Sequence, residues 1–156
     1  MGKTMKPIRT ILVPIAFSKR SQTILDYAAG VALPLDADLL VANVINIRSI
    51  EAISGVEAMG YQVDTTAYRK SLEQDRKDLL EKMLPKMSFP RERVRMVFKV
   101  GHPFDKLIQI VKDEGVDLVI MGSRAHSELE HVLLGSVAEK MFRHSPVPVL
   151  SYRMRL

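Results

Sequence analysis

Residues 100–123, VGHPFDKLIQIVKDEGVDLVIMGS, place an amphipathic helix directly before a buried strand. Phe104, Leu107, Ile108 and Val111 fall at i, i+3, i+4 and i+7, the spacing of one apolar helix face, and Pro103 suits the first turn. Gly115 suits the helix stop. Val116–Met121 follows as the most hydrophobic strand of the chain, apolar enough to be covered on both faces.

The same alternation extends in both directions. Ile8–Ile15 is a β-branched, mostly apolar run that reads as a first strand. Ser18 is then placed to cap a helix to about Leu33, with Ile24, Leu25, Ala28, Ala29 and Ala32 on one face and Pro34 and Asp36 ending it. Leu39–Ile45 reads as a second strand. Residues 46–66 have no clean period and two glycines, so a long loop with a short helix inside is expected there. Tyr68–Met87 carries Leu72, Leu79, Leu80, Met83 and Leu84 at helical spacing, and Val94–Val100 reads as a strand closed by Gly101. After the fourth strand come a polar loop, a helix over Ser136–His144 and a last strand, Val147–Tyr152.

The order is βαβαβαβαβ. Strands joined by crossover helices lie parallel, and the crossovers are right-handed. The expectation is therefore one α/β domain: a doubly wound, five-stranded parallel sheet with helices on both faces. Such sheets bind ligands beyond the carboxyl ends of their strands, where the strand order reverses. That selects Pro14–Ala16 and Met121–Gly122 before any motif is considered.

Bulk properties agree with a single soluble unit. The 156 residues suffice for one core, and 47% hydrophobic with 26% charged residues is ordinary for a globule. The absence of cysteine removes disulfide and thiolate chemistry and fits a reducing compartment. The opening MGKTMKPIRTILVPI has charge before an apolar run, but the run is short and broken at Pro14, with no convincing cleavage site. No stretch approaches the roughly 20 apolar residues that span a bilayer. A cytoplasmic protein with no membrane partner is expected, with residues 1–7 flexible. The net charge of +5 is spread along the chain and interleaved with acids, as in EQDRKDLLEK (73–82), and no aromatic stacking surface accompanies it. A nucleic-acid partner is not expected.

Chemistry concentrates after the fourth strand. Gly122-Ser123-Arg124-Ala125 is followed by nine residues and then Gly135-Ser136-Val137-Ala138. A glycine at a strand end admits a sharp turn and close approach of a ligand to the main chain. Gly135-Ser136 opens a helix, where free N–H groups and the dipole favour phosphate. Read locally, the same residues equally describe a turn and a helix cap.

The run MGSRAHSELEHVLLGSVAEKMFRHSPVPVL (121–150) resembles the C-terminal signature of universal stress proteins, whose ATP-binding members carry G-x2-G-x9-G-[S/T]. ILVPIAFSKRS (11–21) resembles that family's first strand and turn, LLVANVIN (39–46) its second strand, and residues 100–123 its third helix and fourth strand. The resemblance implies a Rossmann-like domain of the adenine nucleotide alpha hydrolase type that binds ATP or another adenine nucleotide, with or without Mg2+. It implies a base near Ile15, Val44 and Met121, a ribose near Pro14 and Ala16, and phosphates near Gly122, Ala125, Gly135, Ser136, Val137 and Ala138, with Arg124 in reach from the loop. It further implies a homodimer paired through the strand at 147–152, serving a stress response through a regulatory protein partner.

Two positions depart from the family pattern. Ala125 replaces the second glycine, at a cost of about 1 kcal/mol if its φ is positive. Ala16 stands where nucleotide-binding relatives place an aspartate in V-P-x-D, and losing that acceptor lowers affinity by roughly 1–3 kcal/mol. A nucleotide-independent dimeric interaction module is therefore the competing function. Catalysis has no visible constellation: Ser18, Ser123 and Ser136 lack a G-x-S-x-G elbow, and His102, His126, His131 and His144 lack metal-ligand spacing. A slow ATPase would need a water-activating group that no motif supplies.

Overall fold

Thr10–Pro14 (β1), Asp38–Asn46 (β2), Val94–Gly101 (β3), Leu118–Gly122 (β4) and Val149–Tyr152 (β5) form one sheet in the computed structural model, which describes residues 2, 4–123 and 136–153. The order is β3-β2-β1-β4-β5, and every adjacent pair runs parallel. The helices are Ser21–Leu35 (α1), Ile47–Ala58 (α2), Thr65–Met83 (α3), Pro103–Asp113 (α4) and Ser136–His144 (α5). The doubly wound α/β architecture expected from the alternating pattern is the one observed.

Successive strand residues point to opposite faces, so each buried strand feeds two cores. Ile11, Val13, Leu39 and Val41 pack with Leu25, Ala28 and Leu80, beneath α1 and α3. Leu12, Leu40, Ala42 and Val119 pack with Leu107, Ile110, Val111 and Met141, beneath α4 and α5. Full burial of each such aliphatic side chain contributes about 1.5–3 kcal/mol, which makes these two layers the main source of stability.

Helix ends follow local chemistry. α1 runs through Pro34 to Leu35 and stops where Asp36 adopts a left-handed φ of 53°, with the Ala37 amide donating to the Ala32 carbonyl at 3.0 Å. Gly115, at φ 62°, performs the same turn after α4. Ser18 does not cap α1: its hydroxyl accepts from the Arg20 amide at 3.2 Å, and the helix begins at Ser21. The larger difference lies at residues 46–66. Residues 47–58 form the 12-residue helix α2, and α3 begins at Thr65 rather than Tyr68. Both starts are fixed by caps, Asn46 accepting from the Arg48 amide and Asp64 from the Ala67 amide. α2 buries none of its residues fully, and its short stripe of Ile47, Ile50 and Ile53 is only half-buried and is followed at once by Gly55.

Beneath the sheet, Asp117 joins the starts of β1 and β4. Its carboxylate accepts from the Arg9 and Thr10 amides at 2.9 and 3.1 Å and pairs with Lys6 at 2.7 Å. Burial alone would raise this carboxyl's pKa. The bond and charge of Lys6 and the two amides outweigh burial and hold the pKa below the ordinary value. A depressed folded-state pKa stabilises the fold above the unfolded value of roughly 3.9, and that contribution disappears as pH falls through the folded value. Asp117→Asn is therefore expected to lower stability by roughly 1–3 kcal/mol in urea unfolding at pH 7. The difference from wild type should shrink on acidification, and a pH-independent difference would contradict the account.

Candidate functional site

β1 is the first strand to leave the sheet at the carboxyl edge. Pro14 pairs with Ala42, the Ile15 amide makes one more bond to the Ala42 carbonyl at 2.9 Å, and the chain departs. β2 continues to Asn46, still paired with β3. On the other side, the β1–β4 ladder covers only Ile11↔Leu118 and Leu12↔Val119. Backbone N–H groups alternate between the two sides of a strand. Since the Ile15 amide faces β2, position 14 faces β4, and proline has no N–H to donate there. The carboxyl ends of β1 and β4 part, and a cleft of about 710 Å3 opens over them.

The cleft wraps over the sheet edge and takes its walls from both layers. Ala42, Val44, Leu107, Met121, Val137 and Ala138 supply the α4/α5 side, which is apolar. The α1/α3 side is polar, with Ser21, Asn43 and Arg76 beside Ile15 and Ile24. Among the described lining residues none is Asp, Glu or His, and Arg76 is the one charged side chain. No group of three His, Cys, Asp or Glu able to hold a metal ion occurs among the described residues.

Three polar features face this space. Asn43 is buried in the middle of an apolar strand, and its side-chain amide donates to the Ile15 carbonyl at 2.7 Å. Its oxygen accepts from Arg76 Nη1 at 2.6 Å. Arg76 projects from α3, and burial pushes its pKa below the ordinary arginine value, with the Tyr68 hydroxyl partly opposing the shift. It stays charged, because an arginine far from its ordinary range still holds its proton. Ser21, in the first turn of α1, has a buried hydroxyl with no hydrogen-bond partner among the described residues.

Of the residues singled out from sequence, Pro14, Ile15, Ala16, Val44, Met121, Gly122, Ser136, Val137 and Ala138 all line this cleft. Arg124, Ala125 and Gly135 lie outside the described residues. Ser136 is exposed at the start of α5, and Ala138 is buried one position beyond Val137. Gly122 does not adopt a left-handed φ; its value lies in a close approach, since a Cβ there would stand 2.7 Å from Ile24 Cδ1. Phe17, directly after Ala16, adopts a φ of 55°, a conformation unfavourable for an aromatic residue by about 1–2 kcal/mol. Its ring packs against the α1/α3 core, which holds the reversal in place.

Asn43, Arg76 and Ser21 were not selected from the sequence. The available signal was Asn43, a lone amide inside LLVANVI.

The model of the universal stress protein family matches residues 7–153. Universal stress protein MJ0577 of Methanocaldococcus jannaschii is 27% identical over 150 residues, covering 91% of this chain and 93% of that protein. The solved structure of MJ0577 matches with a TM-score of 0.79 at 25% identity, over 97% of this chain and 99% of that one. The fold is shared with a universal stress protein from Archaeoglobus fulgidus in complex with dAMP, at a TM-score of 0.61 and 16% identity over 95% of this chain and 100% of that one. It is shared equally with a universal stress protein in complex with cAMP, at 0.60 and 20% over 95% and 98%.

The polar corner generates a stability test. Asn43→Ala strips the Ile15 carbonyl and the Arg76 guanidinium of a buried partner and should cost roughly 1–3 kcal/mol. Arg76→Met relieves a desolvated charge that has no acidic partner among the described residues but leaves the buried Asn43 oxygen without its donor, so its net cost should be smaller than that of Asn43→Ala, within about 1 kcal/mol. Chemical denaturation measures both. Equal losses in the two variants would make Arg76 a structural residue.

Proposed function

The chain belongs to the universal stress protein family, and we propose that it binds an adenine nucleotide in the cleft where β1 and β4 part. The observation that carries this reading is the convergence, across one cleft, of the start of α5 at Ser136–Ala138 with the apolar surface of Val44 and Met121. Free N–H groups and the helix dipole at α5 suit phosphate oxygens, and Ser136 adds a hydroxyl donor. Val44 and Met121 suit the faces of a purine, with Ile15 beside them and the ribose against Pro14 and Ala16. Arg124, Ala125 and Gly135 complete the phosphate side in this reading. The relatives with dAMP and cAMP support a nucleotide as the ligand class. Any Mg2+ would arrive with the phosphates.

The protein then acts as a cytoplasmic stress regulator, in which nucleotide occupancy sets the surface offered to a regulatory partner. No helix among the described residues is long and apolar enough to cross a membrane. The active form is a homodimer through β5, which lies at one end of the strand order and is half-buried along all four residues. A nucleotide-independent interaction module is the second reading, and Ala16 is the residue that favours it.

Calorimetric titration with ATP, ADP and AMP tests the first reading, which fails if none binds below millimolar concentration. Ser136→Asp is expected to weaken binding at least tenfold by repelling phosphate. The same carboxylate at a helix N-terminus favours the helix, so the melting temperature should hold. Sedimentation equilibrium should return twice the chain mass of 17.6 kDa, and a monomer at micromolar concentration would remove the dimer.

A further inference from the structure

We propose that the nucleotide held in this cleft is phosphorylated on its ribose as well as at its 5′ end, and that Arg76 receives the ribose phosphate. This rests on the nucleotide reading above and specifies its ligand class.

Arg76 is a cation in the lining of the same cleft as Pro14 and Ala16, against which the ribose lies in that reading. Arg76 Nη1 donates to Asn43 at 2.6 Å, and Asn43 donates to the Ile15 carbonyl at 2.7 Å. The guanidinium is thus two hydrogen bonds from the backbone that leads into Ala16. A guanidinium carries five N–H donors, and the Asn43 bond uses one. Its acceptor is a neutral amide oxygen, and no described residue lining the cleft is a carboxylate. Holding this charge in a half-buried wall costs solvation, which a phosphate would offset through two parallel bonds to the planar fork.

Position 16 points the same way. An aspartate there would accept a bond from a ribose hydroxyl and would repel a phosphate on that hydroxyl. Alanine removes both effects. A lost acceptor, in a cleft whose described lining holds one cation and no carboxylate, disfavours a free diol and favours a ribose that carries negative charge.

The two anion-binding corners belong to different layers. The start of α5 stands on the α4/α5 side, whereas Arg76 reaches in from α3 on the opposite side. A ligand satisfying both carries anionic groups on two sides of its sugar. A mononucleotide whose one phosphate chain runs from the 5′ position to α5 leaves the Arg76 corner unmatched.

The test is equilibrium binding of AMP, ADP, ATP, adenosine 3′,5′-bisphosphate and adenosine 2′,5′-bisphosphate to the wild type, Arg76→Gln, Arg76→Lys and Ala16→Asp. One of the two ribose-phosphorylated nucleotides should bind the wild type at least tenfold more tightly than AMP. Arg76→Gln should collapse that ratio to near one, and Arg76→Lys should keep part of it. Ala16→Asp should reverse the preference towards AMP. Equal affinity of the wild type for AMP and both bisphosphates overturns the proposal and leaves the nucleotide reading standing. So does a preference that survives Arg76→Gln, or an Arg76 dependence confined to ATP and ADP, which would assign the guanidinium to the 5′ chain. Binding of none of the five ligands removes the nucleotide reading itself.

Discussion

A missing N–H at Pro14 organises the carboxyl edge of this molecule. β1 is the central strand, bonded to β2 on one side and β4 on the other. Proline within a central strand removes a ladder bond and is confined to places where a ladder can end. At position 14 the lost donor faces β4, so the β2 side continues to the Ile15 amide while the β4 side has already stopped. The cleft is the consequence of that asymmetry. A residue with an N–H at this position would be free to extend the β1–β4 ladder towards the space that the cleft occupies.

What surrounds the opening follows from keeping it open. The chain must turn away sharply after Ile15, and it does so through the left-handed Phe17, whose ring is anchored in the core beneath α1. Local strain of this kind persists only where packing over-determines it, and it recurs at ligand sites. On the opposite rim, Gly122 lets Ile24 of α1 approach the end of β4 closely. The two rims are thereby held by the same helix, which fixes the width of the cleft more firmly than loop contacts alone would.

The sheet and most of its helices were legible in sequence because burial dictates their pattern. α4, with Phe104, Leu107, Ile108 and Val111 on one stripe, and the β-branched strands declare themselves by period. α2 does so only weakly, because its stripe of Ile47, Ile50 and Ile53 is short and half-buried, and caps at Asn46 and Asp64 define the segment. The site was legible in the same uneven way. Residues tied to strand ends and to the start of α5 follow from topology. Arg76 does not, since EQDRKDLLEK reads as a solvated face with alternating charge, and nothing in a one-dimensional pattern shows that one of its cations turns inward. Only Asn43, an amide in an apolar strand, hinted that a polar partner would have to come from elsewhere, because a buried amide left unpaired is costly.

Arg76 and Ala16 are best understood as one electrostatic arrangement. The fold supplies helix N-termini and an apolar wall to any ligand with phosphate and a flat ring, so these features confer affinity without much discrimination. Discrimination must come from side chains that cost stability when the cleft is empty. The Arg76 guanidinium is such a group: burial works against its charge, its one hydrogen bond among the described residues goes to a neutral oxygen, and neither the core layers nor the strand ladders depend on it. An aspartate at position 16 would have put a negative charge into the same cleft. With alanine there instead, the positive potential on the α1/α3 side stays available for an anionic group to match, and the protein carries its binding preference as a local charge imbalance within an otherwise satisfied fold.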